Sequence, residues 1–159
     1  MRVGLGFDVH PFSDDPARAL VLGGVAFASG DARGLAGHSD ADVVAHAVAD
    51  ALLGAAGLGD LGGFFPDTDP AWAGADSIDL LGKVAGEVTA AGWAPVNVDC
   101  AVVLEAPKLA PHREEMQARL SAAAGAPVSV KAKRAEGLGA LGRREGIACW
   151  AVALVEQVT

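Results

Sequence analysis

Residues 2–10 read RVGLGFDVH; Val3, Leu5, Phe7 and Val9 take the odd positions, and Gly4, Gly6, Asp8 and His10 the even ones. This period of two predicts a β-strand with Asp8 and His10 side by side on the face opposite the apolar one, close enough to share an ion. The second decisive stretch, residues 38–53, reads HSDADVVAHAVADALL. Its Ala, Val and Leu content predicts a helix from about Asp42 to Ala56, capped by Ser39 or Asp40, with Asp42 and His46 at i and i+4 on one face. One carboxylate and two imidazoles, Asp8, His10 and His46, suit a divalent transition metal with open coordination positions, as a catalytic site requires and a structural one does not. The same donors also suit a non-haem iron triad, so spacing alone leaves the metal and its chemistry open.

Outward from these stretches the chain alternates strands and helices. A short strand is expected around Ala19–Leu22. A loop rich in Gly, Asp and Pro, GLGDLGGFFPDTDPAWAGAD (residues 57–76), follows the first helix; a segment this long and irregular is more often functional than connective. Asp76 or Ser77 caps a helix to about Ala91, stopped by Gly92, and Val96–Leu104 reads as a buried strand. Residues 108–125, with Leu109, Met116 and Leu120 as the apolar positions and Gly125 as the stop, form a third helix. Val128–Lys133 and Ile147–Val155 complete the pattern as strands. The expected class is α/β (α+β): a single mixed β-sheet with helices packed on one face, in one domain spanning residues 1–159.

Composition narrows the function classes. The chain is 52% hydrophobic but lacks any apolar run of bilayer length, and its start lacks a signal peptide's apolar region, so a cytoplasmic protein without membrane contact is expected. The formal charge of -8 argues against a nucleic-acid partner. The one basic cluster, Lys131, Lys133, Arg134, Arg143 and Arg144, is enough for a compact anion such as a phosphate ester. Cys100 and Cys149 sit in apolar runs and read as buried thiols. The polar face of the first strand needs cover, which a homo-oligomer with the metal site at a subunit boundary would provide.

Seven segments carry a resemblance. GFDVH (6–10), GHSDADVVAHAVADALLGAAGLGDLG (37–62), FPDTDP (65–70), GADS (74–77), NVD (97–99), APKLAPH (106–112) and GRREGIA (142–148) follow one pattern in order over nearly the whole chain. That pattern is similar to the 2-C-methyl-D-erythritol 2,4-cyclodiphosphate synthases, the cyclising enzymes of the non-mevalonate isoprenoid pathway. The resemblance implies a homotrimer with its sheets facing the centre and active sites at subunit interfaces. It implies zinc, or a similar divalent ion, on Asp8, His10 and His46, one per subunit. A second divalent ion, magnesium or manganese, would bind Glu136 together with the substrate.

The substrate implied is 4-diphosphocytidyl-2-C-methyl-D-erythritol 2-phosphate, and the product is released with CMP. By the same resemblance His38 and Ser39 lie in a mobile segment that closes over the substrate, with Asp42 in support. Asp60, Gly62, Phe65 and Asp67 form the methylerythritol pocket. Ala106, Pro107, Lys108 and Leu109 form a cytidine pocket supplied by the neighbouring subunit together with Ala132, Lys133 and Arg134. Asp8, His10 and Arg143 are further substrate contacts, and His38, Arg134 and Glu136 take the catalytic roles. Two departures stand out. VKAKRAEGLG (130–139) has Arg134 where the family carries a phosphate-polarising threonine. GLGALGRREG (137–146) has Ala140 for an aromatic facing the trimer cavity and Arg144 for a glycine. The first bears on how the β-phosphate is polarised, and the second on whether that cavity takes an isoprenoid diphosphate.

Overall fold

The computed structural model describes residues 1–27 and 33–158. Four strands, β1 (Arg2–Pro11), β4 (Trp93–Val103), β5 (Val128–Lys133) and β6 (Gly146–Gln157), form a mixed sheet in the order β1-β6-β4-β5. β6 runs antiparallel to both β1 and β4, and β4 pairs parallel with β5. The sheet is not single. β2 (Leu20–Leu22) and β3 (Val25–Phe27) make a separate antiparallel hairpin. Its two-residue turn, Gly23-Gly24, has positive φ at both positions, as the mirror-image hairpin turn requires and glycine readily adopts.

Three helices cover one face of the sheet: α1 (Val43–Ala56) against β1 and β6, α3 (Ser77–Ala90) against β4, and α4 (Arg113–Ala124) against β5. Short helices α2 (Leu61–Phe64) and α5 (Gly139–Gly142), with 3-10 turns at Pro70–Trp72 and Ala110–His112, interrupt segments expected to be loop or continuous helix. β4 also starts earlier than expected, at Trp93, with an irregular register between Pro95 and Asn97. Proline there has no N–H to give the ladder. None of the described helices is long and apolar enough to cross a membrane.

The faces of β1 are assigned the opposite way from the usual apolar-inward rule. Gly4 and Gly6, not the apolar residues, face the core, while Val3 and Leu5 are each 67% exposed. The cause is the closeness of α1. A Cβ on Gly4 would lie 2.1 Å from the Ala51 carbonyl oxygen, and one on Gly6 2.0 Å from that of Ala47. The face carrying Asp8 and His10 is therefore covered by the chain's own helix. The face left without cover is apolar: Val3, Leu5, Phe7 and Val9 on β1 continue into Trp150 and Val152 on β6. Phe7 and Trp150 are directly paired across the strands, with ring centroids 4.9 Å apart. Cys100 and Cys149 are buried free thiols on the inner face.

The cap of α1 also differs from expectation. Asp42 itself is the N-cap, accepting from the N–H groups of Val44 at 3.0 Å and Ala45 at 3.1 Å. It is 0% exposed, and it also accepts from Gly23 N–H at 2.9 Å and Gly24 N–H at 2.6 Å. A cap residue turns its side chain back along the first turn, so Asp42 does not share a face with His46; it joins the hairpin turn to the helix start. Asp76, rather than Ser77, caps α3, accepting from Ile78 N–H.

The close approach of β1 and α1 predicts opposite outcomes for two glycines. Gly6→Ala is expected to lower stability by about 1–3 kcal/mol through overpacking. Gly86→Ala on the exposed face of α3, where an added Cβ meets nothing within 4 Å, is expected to raise it by about 1 kcal/mol. Urea denaturation midpoints of the two variants check both signs.

Candidate metal centre and active-site cleft

Asp8 and His10 stand on the inner face of β1 and His46 one turn into α1, so the contact made possible by Gly6 also brings the three together. Asp8 Oδ2 lies 3.0 Å from His10 Nε2 and 3.0 Å from His46 Nδ1, and the two ring nitrogens are 3.3 Å apart. His10 Nδ1 donates to the Ala36 carbonyl at 2.9 Å, which leaves Nε2 as the ring atom turned to the centre. A carboxylate can only accept, and these nitrogens present lone pairs to the same point when deprotonated; a cation satisfies all three at once. One carboxylate with two imidazoles, at one partly buried point open to a cleft, fits a divalent ion with free positions.

The electrostatics agree with the geometry. Burial works to raise the Asp8 carboxyl, but hydrogen bonds from His10 and His46 outweigh it and hold the group far below the usual carboxylate range. Burial works to lower His10, yet its hydrogen bond to Asp8 and that residue's charge raise it above the ordinary histidine value.

The centre opens into a cleft of about 650 Å³. Of the residues singled out in the sequence, Asp8, His10, His38, Ser39, His46, Asp60, Gly62, Phe65 and Asp67 all line it. Asp60 caps α2 by accepting from Gly63 N–H at 2.8 Å, and Phe65 packs edge-on against Trp72, whose ring also faces the cleft. The His38-Ser39-Asp40 segment is tied at several points. Gly74 N–H donates to the His38 carbonyl, Arg18 donates to the Ser39 carbonyl, and Asp40 N–H donates to the Ala75 carbonyl. His38 Nε2 donates to the Asp69 carbonyl at 3.0 Å.

Trp72 was not read from the sequence as a site residue, and neither were Asp50, Ser77 and Asp40. Asp50 lines the cleft, accepts from Leu61 N–H at 2.8 Å, and is raised by burial; its spacing of four from His46 was the available signal. Ser77 and Asp40, read only as helix caps, lie behind His46, with Ser77 Oγ 2.8 Å from His46 Nε2. Nothing local in the sequence marks that contact, because it joins segments 31 residues apart.

The remaining singled-out residues do not line this cleft. Ala106, Pro107, Lys108 and Leu109 follow β4, Ala132 and Lys133 end β5, and Arg134, Glu136 and Arg143 follow it. Glu105 and Ala106 line a separate, smaller cavity with Phe12, Arg33 and Arg144. Arg134 donates through Nε at 3.0 Å and Nη2 at 2.9 Å to Glu105 Oε2, while Gly137 N–H donates to Glu105 Oε1. This pairing lowers the Glu105 carboxyl and raises Arg134. Much of the basic cluster is thus internally balanced, since Lys131 pairs with Asp99 and Arg143 with Glu145. Glu136 and Arg144 both have positive φ, a conformation strained for residues with a side chain.

A metal competes with the proton at His10 Nε2, and Asp8 stays charged throughout the neutral range. Affinity for Zn²⁺ or Co²⁺ is therefore expected to fall as pH is lowered, starting above the ordinary histidine value of about 6.5. The fall approaches about tenfold per pH unit for one displaced proton. Competition with a chromophoric chelator across neutral pH measures it.

Comparison with known proteins matches this geometry. The model of the YgbB family covers residues 1–156. A 2-C-methyl-D-erythritol 2,4-cyclodiphosphate synthase of Bordetella petrii is 55% identical over 99% of this chain and 97% of its own length. One of Symbiobacterium thermophilum is 54% identical over 98% of each. The solved structure of Plasmodium falciparum IspF in complex with CDP superposes with a TM-score of 0.83 at 29% identity, over 99% of this chain and 97% of that one. The full-length family match and this level of identity together establish that the chain belongs to the YgbB family, that of the 2-C-methyl-D-erythritol 2,4-cyclodiphosphate synthases.

Proposed function

We propose that this chain, as one domain over residues 1–159, converts 4-diphosphocytidyl-2-C-methyl-D-erythritol 2-phosphate into 2-C-methyl-D-erythritol 2,4-cyclodiphosphate and CMP. The observation that carries the reading is the convergence of Asp8, His10 and His46 at the mouth of a cleft rimmed by Asp60, Gly62, Phe65 and Asp67. In the reaction an oxygen of the 2-phosphate forms a bond to the β-phosphorus. The bond from that phosphorus to the oxygen bridging to the α-phosphorus breaks, and the electron pair leaves with CMP. Zinc on Asp8, His10 and His46, with magnesium or manganese on Glu136, would supply Lewis-acid polarisation and charge neutralisation for the phosphates.

The chain's own residues hold the substrate folded. Asp60 spends Oδ1 on Gly63 N–H and keeps Oδ2 for a substrate hydroxyl. Phe65 and Trp72 give the methylerythritol chain an apolar wall, and His38 and Ser39 line the same cleft. No protein nucleophile is needed, because both reacting groups belong to one molecule and orientation supplies much of the rate.

The homotrimer with active sites at its boundaries rests on the family resemblance, and two observations support it. The outer sheet face from Val3 to Val152 is apolar and uncovered, as an obligate interface is. The nucleotide-binding set, Lys108, Ala132, Lys133, Arg134 and Glu136, stands apart from the cleft of its own chain, which a neighbouring subunit's set would complete. The strained backbone at Glu136 accords with a functional position there. Arg134, braced by Glu105, offers its remaining guanidinium N–H groups to a phosphate. The protein would act in the cytoplasm, and an isoprenoid diphosphate in the trimer cavity would meet Ala140 and Arg144 where the family carries an aromatic and a glycine.

Metal-loaded protein given the CDP-linked substrate is expected to release CMP and the cyclic diphosphate in equal amounts, and chelation is expected to abolish both. Absence of CMP from fully loaded trimer would refute the assignment. Arg134→Ala is expected to weaken CDP binding about 10-fold or more, the loss of one charge-assisted hydrogen bond; titration calorimetry with CDP measures it.

A further inference from the structure

Behind the metal centre, on the side away from the cleft, a second carboxylate lies within reach of His46 through one hydroxyl. Ser77, 1% exposed at the first turn of α3, places Oγ against Asp40 Oδ1 and 2.8 Å from His46 Nε2. Asp40 is itself held: Asp42 N–H donates to Oδ1 and Ser77 N–H to Oδ2, each at 3.1 Å. Ser39 Oγ lies 3.2 Å from His46 Nε2 and accepts from Ala41 N–H.

The proton positions follow from what each group can do. A carboxylate only accepts, so the single Ser77 hydroxyl proton goes to Asp40. Ser77 Oγ then has only lone pairs to offer His46, and Nε2 must carry the ring proton that donates to it. A neutral imidazole has one N–H, so once a cation displaces the Nδ1 proton otherwise donated to Asp8 Oδ2, the Nδ1 lone pair is what the ion meets. We propose that Asp40 and Ser77 are positioning residues that hold His46 as the Nε2–H tautomer, with Nδ1 committed to the metal. His10 obtains the same result from the Ala36 carbonyl. The two histidines therefore present opposite ring nitrogens, each set by an acceptor on its far side. This relay rests on the reading of Asp8, His10 and His46 as metal ligands, and it assigns Ser77 and Asp40 a task beyond capping.

The test has two arms. In Zn²⁺-loaded wild-type protein, the ¹⁵N shifts of the His46 ring are expected to report a protonated Nε2 and a metal-bound Nδ1; a metal-bound Nε2 would overturn the proposal without any variant. In the second arm Co²⁺ is titrated into wild type, Ser77→Ala and Asp40→Asn, following its visible absorption and its displacement by chelator. Both variants are expected to lose about 10–100-fold in Co²⁺ affinity, with a changed absorption band. Folded variants with wild-type affinity and spectrum would refute the relay. Wild type that takes up no Co²⁺ would instead refute the metal reading, so the two failures are distinguishable.

Discussion

The structure depends on how closely α1 lies on β1. Helix backbone meets strand backbone at Gly4 and Gly6, where no Cβ could be accommodated, and this approach sets which face of β1 turns inward. Asp8 follows Gly6 by two residues and so shares its face, while His46 adjoins the helical residue that Gly6 touches. The metal ligands thus meet because a pair of side chains is missing one strand turn away. A larger residue at Gly6 would push the helix outward and carry His46 from its partners.

A second layer of hydrogen bonds keeps that geometry in register. Asp42 joins the start of α1 to the Gly23-Gly24 turn, and Asp40 joins the same region to the start of α3. Two acidic side chains in HSDAD, Asp40 and Asp42, thereby fasten the start of the helix that bears His46 to two other segments. Such anchoring keeps the three donor groups converged on one point, as binding of a cation requires.

Function extends this logic beyond one chain. The proposed homotrimer would account both for the uncovered apolar face and for the separation of the residues at the ends of β4 and β5 from the cleft. Burying Val3, Leu5, Phe7, Val9 and Val152 against other copies would remove apolar surface from water, and in the proposed trimer it would bring cationic groups toward a cleft that carries four aspartates and no lysine or arginine. Arg134, the least expected residue of that set, is not left to wander in this arrangement; Glu105 holds one edge of its guanidinium.

The sequence by itself determined the strand at residues 2–10, the helices around His46, Leu81 and Met116, the metal trio and most of the cleft rim. The elements and the trio are read from periodicity, turn-forming residues and chemically specialised side chains, which act over short distances along the chain, and the cleft rim is read from the family resemblance. The separate β2-β3 hairpin, Asp42 as the cap, and the contact of Ser77 with His46 were decided by tertiary structure, as was the inward face of β1. Alternation can show that two faces differ but not which one is buried, because that depends on the partner that arrives. Here the partner was a helix able to approach only over glycine, and the long-range contact that settled it has no local signature.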